Sequence, residues 1–481
     1  MQRITPQFFY KYLTCPHWPW FDLFGDHEKE GEVNELQQKI LEHGVVHEEQ
    51  FMAKFVDGHE VVKIDARNWE EGLVQTRRAM ENGVEYIYQG RLRDRDYEGI
   101  PDLLVRRPGK SKLGDYFYEP LDIKSGFDLK EDYKYQLTLY ALTLEVAQQF
   151  RPPHAGIITP TGELLEFAIE DFENKFFDMV EKLEHIFAGE KPPLQLTKAC
   201  MNSPWYSCCV EQAEATDDIA LLYKLDKRSL DALRGFGIRT VEDARQVDVN
   251  ALGDSIPYLK RNGLDRMKLQ AESLKTQKII LRHPVTLPTA PLEIYFDIEG
   301  DPLTNVEYLF GFLVDDHKNE PQYIPFIAEK PEDERAMWRA FLDWMLTLPT
   351  NMVVFHYATY EKSRLSFLAR KYAGDMSELD HVALGAFTGK LVDLNDTIKD
   401  NFIFPLYFYG LKPIGKFLGF HWDSDKAGGA QSIYWYEEWL RTGNRTVLDT
   451  VIQYNKDDVV ATKFLRDWIV KYVDIHHRDV D

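Results

Sequence analysis

The chain is short of cysteine, of long apolar runs and of positive charge. Only four cysteines occur in 481 residues, Cys15, Cys200, Cys208 and Cys209, which excludes a disulfide-built scaffold. Three of them crowd into ten positions, an arrangement that suits a metal site better than a disulfide. No run of 18 apolar residues exists and the first twelve residues lack an apolar signal segment. No membrane span is expected, and the protein reads as soluble and cytoplasmic. Lys and Arg total 57 against 79 Asp and Glu, a formal net charge of -22. That balance argues against general adhesion to nucleic acid or anionic membrane. It leaves room for enzymes that concentrate acids at metal sites and meet phosphate through local basic patches.

What is present is globular. The 44% hydrophobic and 13% aromatic content is that of a folded α/β multidomain chain, and the length suggests roughly three domains at about 150 residues each. The most informative stretch is 292–301. Ile294, Tyr295, Phe296 and Ile298 make it a short buried strand that Gly300 and Pro302 end. Asp297 and Glu299 stand at i and i+2, hence on one face. Two carboxylates side by side on a core strand repel and lose hydration, so they call for a shared divalent cation.

In the first two hundred residues a helix is expected from Thr5-Pro6 onward and a longer amphipathic one over 32–55, carrying His47. Strands are expected over 85–91, 100–105 and 116–124, with a basic solvated turn at 106–112 and a helix over 132–149. Asp122 and Lys124 again share a strand face, Asp102 lies on the preceding strand, and Gln136 and Tyr140 follow on the helix. Taken alone, Asp122 and Lys124 read equally well as a plain ion pair. Together, residues 1–210 resemble the PD-(D/E)XK nuclease fold of the RecB type. The resemblance implies metal binding by His47, Asp102 and Asp122, and a lysine, Lys124, that orients the attacking water. Gln136 and Tyr140 match that family's helix motif.

A subgroup of those nucleases, including the CRISPR-associated RecB-like exonucleases, ties one early cysteine to three late ones around an iron–sulfur cluster. Cys15 fits the first position and Cys200 and Cys209 two of the others. Ser203 occupies the middle position between those two, and Cys208, adjacent to Cys209, is the candidate substitute. The resemblance implies a [4Fe-4S] cluster held by Cys15, Cys200, Cys208 and Cys209, with zinc, or no metal, as the alternative.

From 218 to 276 acids and bases nearly balance, unlike the rest of the chain. Leu233 to Thr240, with Gly235 and Gly237, resembles a helix-hairpin-helix turn; a plain helical spacer is the alternative. Pro284, Pro288 and Pro291 mark 277–291 as a linker. Beyond it, strands are expected at 308–314, 322–327 and 352–355, a helix at 332–348 and a long helix at 447–472. On that last helix Tyr454 and Asp458 are i and i+4, stacked on one face. With Asp297, Glu299 and Glu361, they resemble the DEDD 3′–5′ exonucleases of the ribonuclease H-like fold, over 290–475.

This second resemblance implies four metal-binding acids, Asp297, Glu299, Glu361 (where Asp is usual) and Asp458, holding Mg²⁺ or Mn²⁺, and a water-positioning Tyr454. Asp393 reads equally as a further acid or a helix N-cap; Asp301 and Asp457 read as solvated neighbours. Gly410 to Lys416 has phosphate-loop spacing, but Phe417 replaces the Ser/Thr that would hold Mg²⁺ and Pro413 removes an N–H. The expected architecture is thus a RecB-like domain at 1–213, a helical module at 214–290 and a ribonuclease H-like domain at 291–481, as in RecB-like nucleases. The expected activity is metal-dependent cleavage of DNA, single-stranded or end-directed, in repair or CRISPR-related processing. RNA as substrate, or a nucleic-acid-binding adaptor with spent sites, are the alternatives. No helicase motor is present, so unwinding would fall to a partner.

Overall fold

The computed structural model describes residues 2–32, 35–302, 304–423 and 429–476. The chain forms two compact units, Met1–Ala215 and Thr216–Asp481, the second taking in the helical segment after 216. No helix among the described residues is long and apolar enough to cross a membrane.

In the first unit, strands β1 (Val61–Lys63), β2 (Tyr86–Tyr88), β3 (Leu103–Ser111), β4 (Gly114–Ile123), β5 (His154–Ile158) and β6 (Leu164–Ala168) lie side by side in that order. β1/β2 and β4/β5 run parallel and the other neighbours antiparallel. Alternation along β3 decides what each sheet face buries. Leu104 joins Tyr118, Ile157, Phe9, Leu139 and Phe176, packing beneath α1 (Pro6–Thr14), α3 (Glu131–Gln148) and α4 (Ile169–Phe187). Leu103 and Val105 turn to the opposite face and meet Met52 of α2 (Glu35–Phe55). Residues 33 and 34 of the helix expected over 32–55 lie outside the described residues.

The basic stretch at 106–112 is not a loop. β3 runs on through Ser111 and turns only at 112–113. The strand continues because its bases find partners across the ladder. Arg107 Nε donates to Glu119 Oε2 at 2.8 Å, and the Arg106 guanidinium lies 5.9 Å from the Tyr116 ring centre.

The second unit opens with α6 (Lys227–Gly235), α7 (Val241–Gln246) and α8 (Arg261–Thr276). Asp226 caps α6, and Thr240 with Asp243 forms a capping box on α7. Between them Gly237 takes φ +84, and the Gly237 and Ile238 N–H groups donate to Arg234 and Leu233 carbonyls at 3.0 Å each. The hairpin's turn amides are therefore engaged in closing α6, which fits the spacer reading. The expected linker is also partly structured: Ile280 and Leu281 pair antiparallel with Ile403 and Phe402.

Strands β7 (Leu292–Asp301), β8 (Val306–Asp315), β9 (Gln322–Ile327), β10 (Met352–His356) and β11 (Leu391–Asp393) build the main sheet, ordered β9-β8-β7-β10-β11. β7 pairs antiparallel with β8 and parallel with β10. Ile294, Phe296 and Ile298 face one core with Trp338 and Phe341 of α9 (Glu334–Met345). Tyr295 faces the other way, into a core with Val459, Leu465 and Ile469 of the long C-terminal helix. That helix therefore lies across the face on which Asp297 and Glu299 stand. The unit also contains α10 (Tyr360–Lys371), a helix over Glu378–Thr388, α11 (Leu394–Asn401), α12 (Leu411–Phe417), α13 (Gly429–Thr442) and the long helix itself, α14 (Arg445–His476).

Candidate functional site

Asp297, Glu299 and Asp458 each offer a carboxylate oxygen, and these three atoms lie within 4.8 Å of one another. They come from β7 and α14, separated by about 160 residues of sequence, so the fold rather than local chain geometry assembles them. A break in the β7/β8 register falls directly after Glu299, between Glu299 and Gly300. Such bulges re-aim side chains at strand ends.

Glu361, on the first turn of α10, joins from the side. It hydrogen-bonds Asp297, and its Oε2 lies 3.2 Å from His356 Nδ1. Tyr454 lies one turn before Asp458 on α14 and hydrogen-bonds it.

Burial dominates the electrostatics. It raises the Asp297 carboxyl well above its ordinary range, and Asp458 and Glu361 push it further. Glu299 is raised by burial and then by Asp297 and Asp458. Asp458 is raised by burial against the pull of Lys412, Trp422 and Tyr454. Burial brings Glu361 to about 8 and lowers His356 below its ordinary value. Four neighbouring acids, three buried and Asp297 half-buried, concentrate negative charge that a divalent cation relieves. Tyr454 is raised by burial and by the same carboxylates, so its phenol remains an O–H donor at neutral pH.

Several functional groups escaped the sequence reading. Asn455 donates from Nδ2 to Asp297 Oδ2 at 2.7 Å and accepts from the Tyr323 hydroxyl at 2.9 Å. Trp422 Nε1 donates to Asp458 Oδ1 at 2.6 Å. Lys412 lies with its Nζ 4.2 Å from the Tyr454 ring centre; burial lowers its pKa while Asp458 and Glu299 hold it up. A signal existed for Asn455, since it precedes Asp458 by three residues and shares its helix face. Lys412 was hidden inside the apparent phosphate loop. That stretch is α12, whose Ile414 and Gly415 are buried.

The neighbouring acids have other tasks. Asp393 caps α11 by accepting from Asn395 N at 2.8 Å and also accepts from Ala358 N at 2.9 Å. Asp301 is buried rather than solvated and accepts from Thr304 Oγ1 at 2.8 Å. Asp457 is half-buried and accepts from Asp423 N at 3.1 Å and Gln453 Nε2 at 2.7 Å.

Residues 294–470 match the family model described as the RNase_H superfamily. The C-terminal unit carries an RNase H-like domain. Domains of this kind support nuclease-type, metal-dependent hydrolysis of phosphodiesters, generally with Mg²⁺ or Mn²⁺. No curated protein matches the chain.

In the N-terminal unit Asp102 and Asp122 meet at the start of β3 and the end of β4. Asp102 N donates to Asp122 Oδ1 at 3.2 Å, and Ile123 N donates to Asp102 Oδ2 at 2.7 Å. Lys124 Nζ lies 3.0 Å from Asp122 Oδ2 and 3.5 Å from Gln136 Oε1, and Gln136 Nε2 donates to the Tyr140 hydroxyl at 2.9 Å. Burial raises Asp102, with Asp122 adding to it and Lys124 opposing it. Burial would lower Lys124, but Asp122 and Asp102 raise it above its ordinary value.

His47 lies half-buried on α2; its neighbour Glu48 accepts from Gln89 Nε2 at 3.0 Å and adds to the field that raises Asp102. Among the described residues Asp102, Asp122 and His47 do not close into a three-ligand group of the kind formed by Asp297, Glu299 and Asp458. The cysteines divide. Cys15 Sγ lies 4.0 Å from Cys209 Sγ of α5 (Tyr206–Ala215) and hydrogen-bonds Cys200, whereas Cys208 Sγ turns away to the Lys29 carbonyl at 3.6 Å.

Proposed function

We propose that the chain is a metal-dependent nuclease whose principal centre is the RNase H-like site, with Asp297, Glu299, Glu361 and Asp458 as metal-binding acids. The observation that carries this reading is the approach of three carboxylates, half-buried Asp297 and buried Glu299 from β7 and buried Asp458 from α14, to within 4.8 Å. Divalent cations at such a site supply Lewis acidity toward the scissile phosphate and lower the pKa of water.

The chain's own residues do the rest. Asn455 and Trp422 fix the rotamers of Asp297 and Asp458 through the hydrogen bonds described. Tyr454 holds a protonated hydroxyl beside Asp458 and orients the attacking water. Lys412 supplies a half-buried positive charge near the acids, where a phosphate oxygen gains charge in the transition state. Tyr454 beside Asp458 on α14, with Asp297 and Glu299 on β7, supports the 3′–5′ exonuclease assignment, while Glu361, one methylene longer than the usual Asp, departs from that pattern; the reading takes end-directed or single-stranded DNA as substrate and a helicase-type partner for duplexes.

The pairing of Asp102, Asp122 and Lys124 on adjacent strands supports a second, RecB-like centre, in which Lys124 would stabilise charge on the phosphate once Asp122 is engaged by a cation. The test uses 5′- and 3′-labelled DNA and RNA oligonucleotides with Mn²⁺, comparing the wild type with Asp297→Ala, Asp122→Ala and the double variant. Cleavage from the 3′ end lost in Asp297→Ala supports the principal centre. Cleavage unchanged in all three variants rejects both centres, and a preference for RNA rejects DNA as substrate.

A further inference from the structure

The chain carries a net charge of -22, yet four cations gather where the helical segment meets the RNase H-like sheet. Arg266 stands on α8, Lys224 before α6, Arg282 after α8 and Lys399 on α11. Burial pulls Lys224 below its ordinary value, and the charges of Arg266 and Lys399 pull it further. Arg282 is lowered by burial and then by Arg266. Like charges held together repel, so the group calls for a counter-charge.

Arg266 shows where that counter-charge fits. It is half-buried, and its Nε and Nη2 are buried with no acceptor among the described residues. These two N–H groups form one edge of the guanidinium, the fork that takes two oxygens of an anion side by side. A buried charge left without a partner is costly. Arg282 is held differently. Its backbone N–H donates to Asn401 O at 2.7 Å, Nη2 to Asn262 Oδ1 at 3.0 Å and Nη1 to Asp400 O at 3.4 Å. Those acceptors are uncharged, so Arg282 is oriented without being neutralised. Asp265, Asp396 and Asp400 are exposed and act on Lys224 and Arg282 through their fields.

Aromatic side chains connect this group to the acids of the candidate centre. Tyr223 stacks on Tyr409 with ring centres 4.4 Å apart, and the Arg266 charge bears on both phenols. The buried Tyr357 hydroxyl has no partner among the described residues, and its neighbours in charge are Tyr223 and Asp393. Tyr357 directly follows His356, whose Nδ1 lies 3.2 Å from Glu361 Oε2. Cations interleaved with aromatic rings are the usual lining of a single-strand channel, where phosphates meet the charges and bases stack on the rings.

We propose that Arg266, with Lys224, Arg282 and Lys399 around it, binds a backbone phosphate of the single-stranded DNA that the RNase H-like centre cleaves. The inference rests on the nuclease reading of that centre. A strand presents phosphates in series and so serves cations from four segments, whereas one carboxylate would serve the fork alone. The helical segment then contributes through a side chain, since the amides of its hairpin turn are already engaged in closing α6.

The test is binding of a labelled oligothymidylate to the full chain in chelator, where no cleavage occurs, followed by fluorescence anisotropy over a range of salt. Arg266→Met should weaken binding by about fivefold or more and lower the slope of log affinity against log salt by about 0.7, the loss of one phosphate contact. Arg266→Lys, which keeps the charge but not the fork, should fall between the two, and Lys399→Gln should also weaken binding. Arg266→Met should melt no lower than the wild type, because the charge it removes has no protein partner. In Mn²⁺ it should raise the KM for cleavage and leave the saturating single-turnover rate in place. Wild-type affinity and salt slope in both Arg266→Met and Lys399→Gln overturn the proposal, as does a marked fall in melting temperature in Arg266→Met. Binding of polyglutamate in place of oligothymidylate, lost in Arg266→Met, overturns it as well. Arg266-dependent binding without any metal-dependent cleavage removes the nuclease reading and keeps the phosphate site, so the two can fail separately.

Discussion

Asn455 donates to Asp297 across the interface between α14 and β7 at 2.7 Å, and it can do so only because Gly311 stands opposite Asp297 in the β7/β8 register. A Cβ at Gly311 would lie 1.6 Å from Asn455 Oδ1. The glycine therefore serves the metal site from the neighbouring strand. Gly311→Ala should expel the amide, release the Asp297 rotamer and lower metal-dependent cleavage by about tenfold or more, with about 1–3 kcal/mol of stability lost to overpacking. Adding Asn455→Ala should restore part of that stability, because the clash has lost its partner. Urea unfolding of the single and double variants measures the coupling.

The acids of the site make the metal-free protein sensitive to pH. Their folded-state pKa values lie above the ordinary carboxylate range, chiefly through burial, and Glu361 reaches about 8. For a raised acid the cost is absent below its unfolded pKa of about 4 and fully present above its folded value. Stability in chelator should therefore fall as pH rises from about 4 towards about 8. Asp297→Asn should flatten that slope and raise the melting temperature at pH 8, as measured by calorimetry.

The same charge deficit makes divalent ions stabilising. Mn²⁺ at a hundred times its dissociation constant should contribute about 2.7 kcal/mol. Asp458→Asn should shrink the shift in melting temperature, while Asp393→Asn, at a helix cap, should leave most of it in place. Equal shifts in all three proteins would mean that the ion binds elsewhere.

Much of this was legible from periodicity. Asp297 and Glu299 share a strand face at i and i+2, and Tyr454 and Asp458 a helix face at i and i+4, as spacing predicts; that the two pairs converge was implied only by the resemblance to DEDD exonucleases. What spacing could not reveal was which polar groups other elements bring. Trp422, Tyr323 and Lys412 reach the site from elements whose packing depends on the whole fold. Local rules also failed where tertiary partners override them. The 106–112 stretch looked like a solvated loop because it is basic, yet Glu119 on the opposite strand pairs with Arg107 and keeps it extended. Ile280 and Leu281 looked like linker among prolines until Phe402 and Ile403 offered a ladder.

In the N-terminal unit, Lys124 neutralises a carboxylate that is fully buried. Lys124→Met should cost about 3–5 kcal/mol by removing the counter-charge of the buried Asp122 carboxyl. Asp122→Asn in that background should recover much of the loss. Thermal unfolding of the two variants measures this, and independence of the two substitutions would show that the ion pair does not govern stability there.

The account rests most heavily on the carboxylates of the C-terminal site acting together on a phosphodiester. Single-turnover cleavage of labelled single-stranded DNA in Mn²⁺ by the wild type and by Asp297→Asn, each checked for an intact melting transition, tests this most directly. The account predicts a rate lower by about 10²-fold or more in a variant at least as stable as the wild type. Cleavage at the wild-type rate by Asp297→Asn would contradict it.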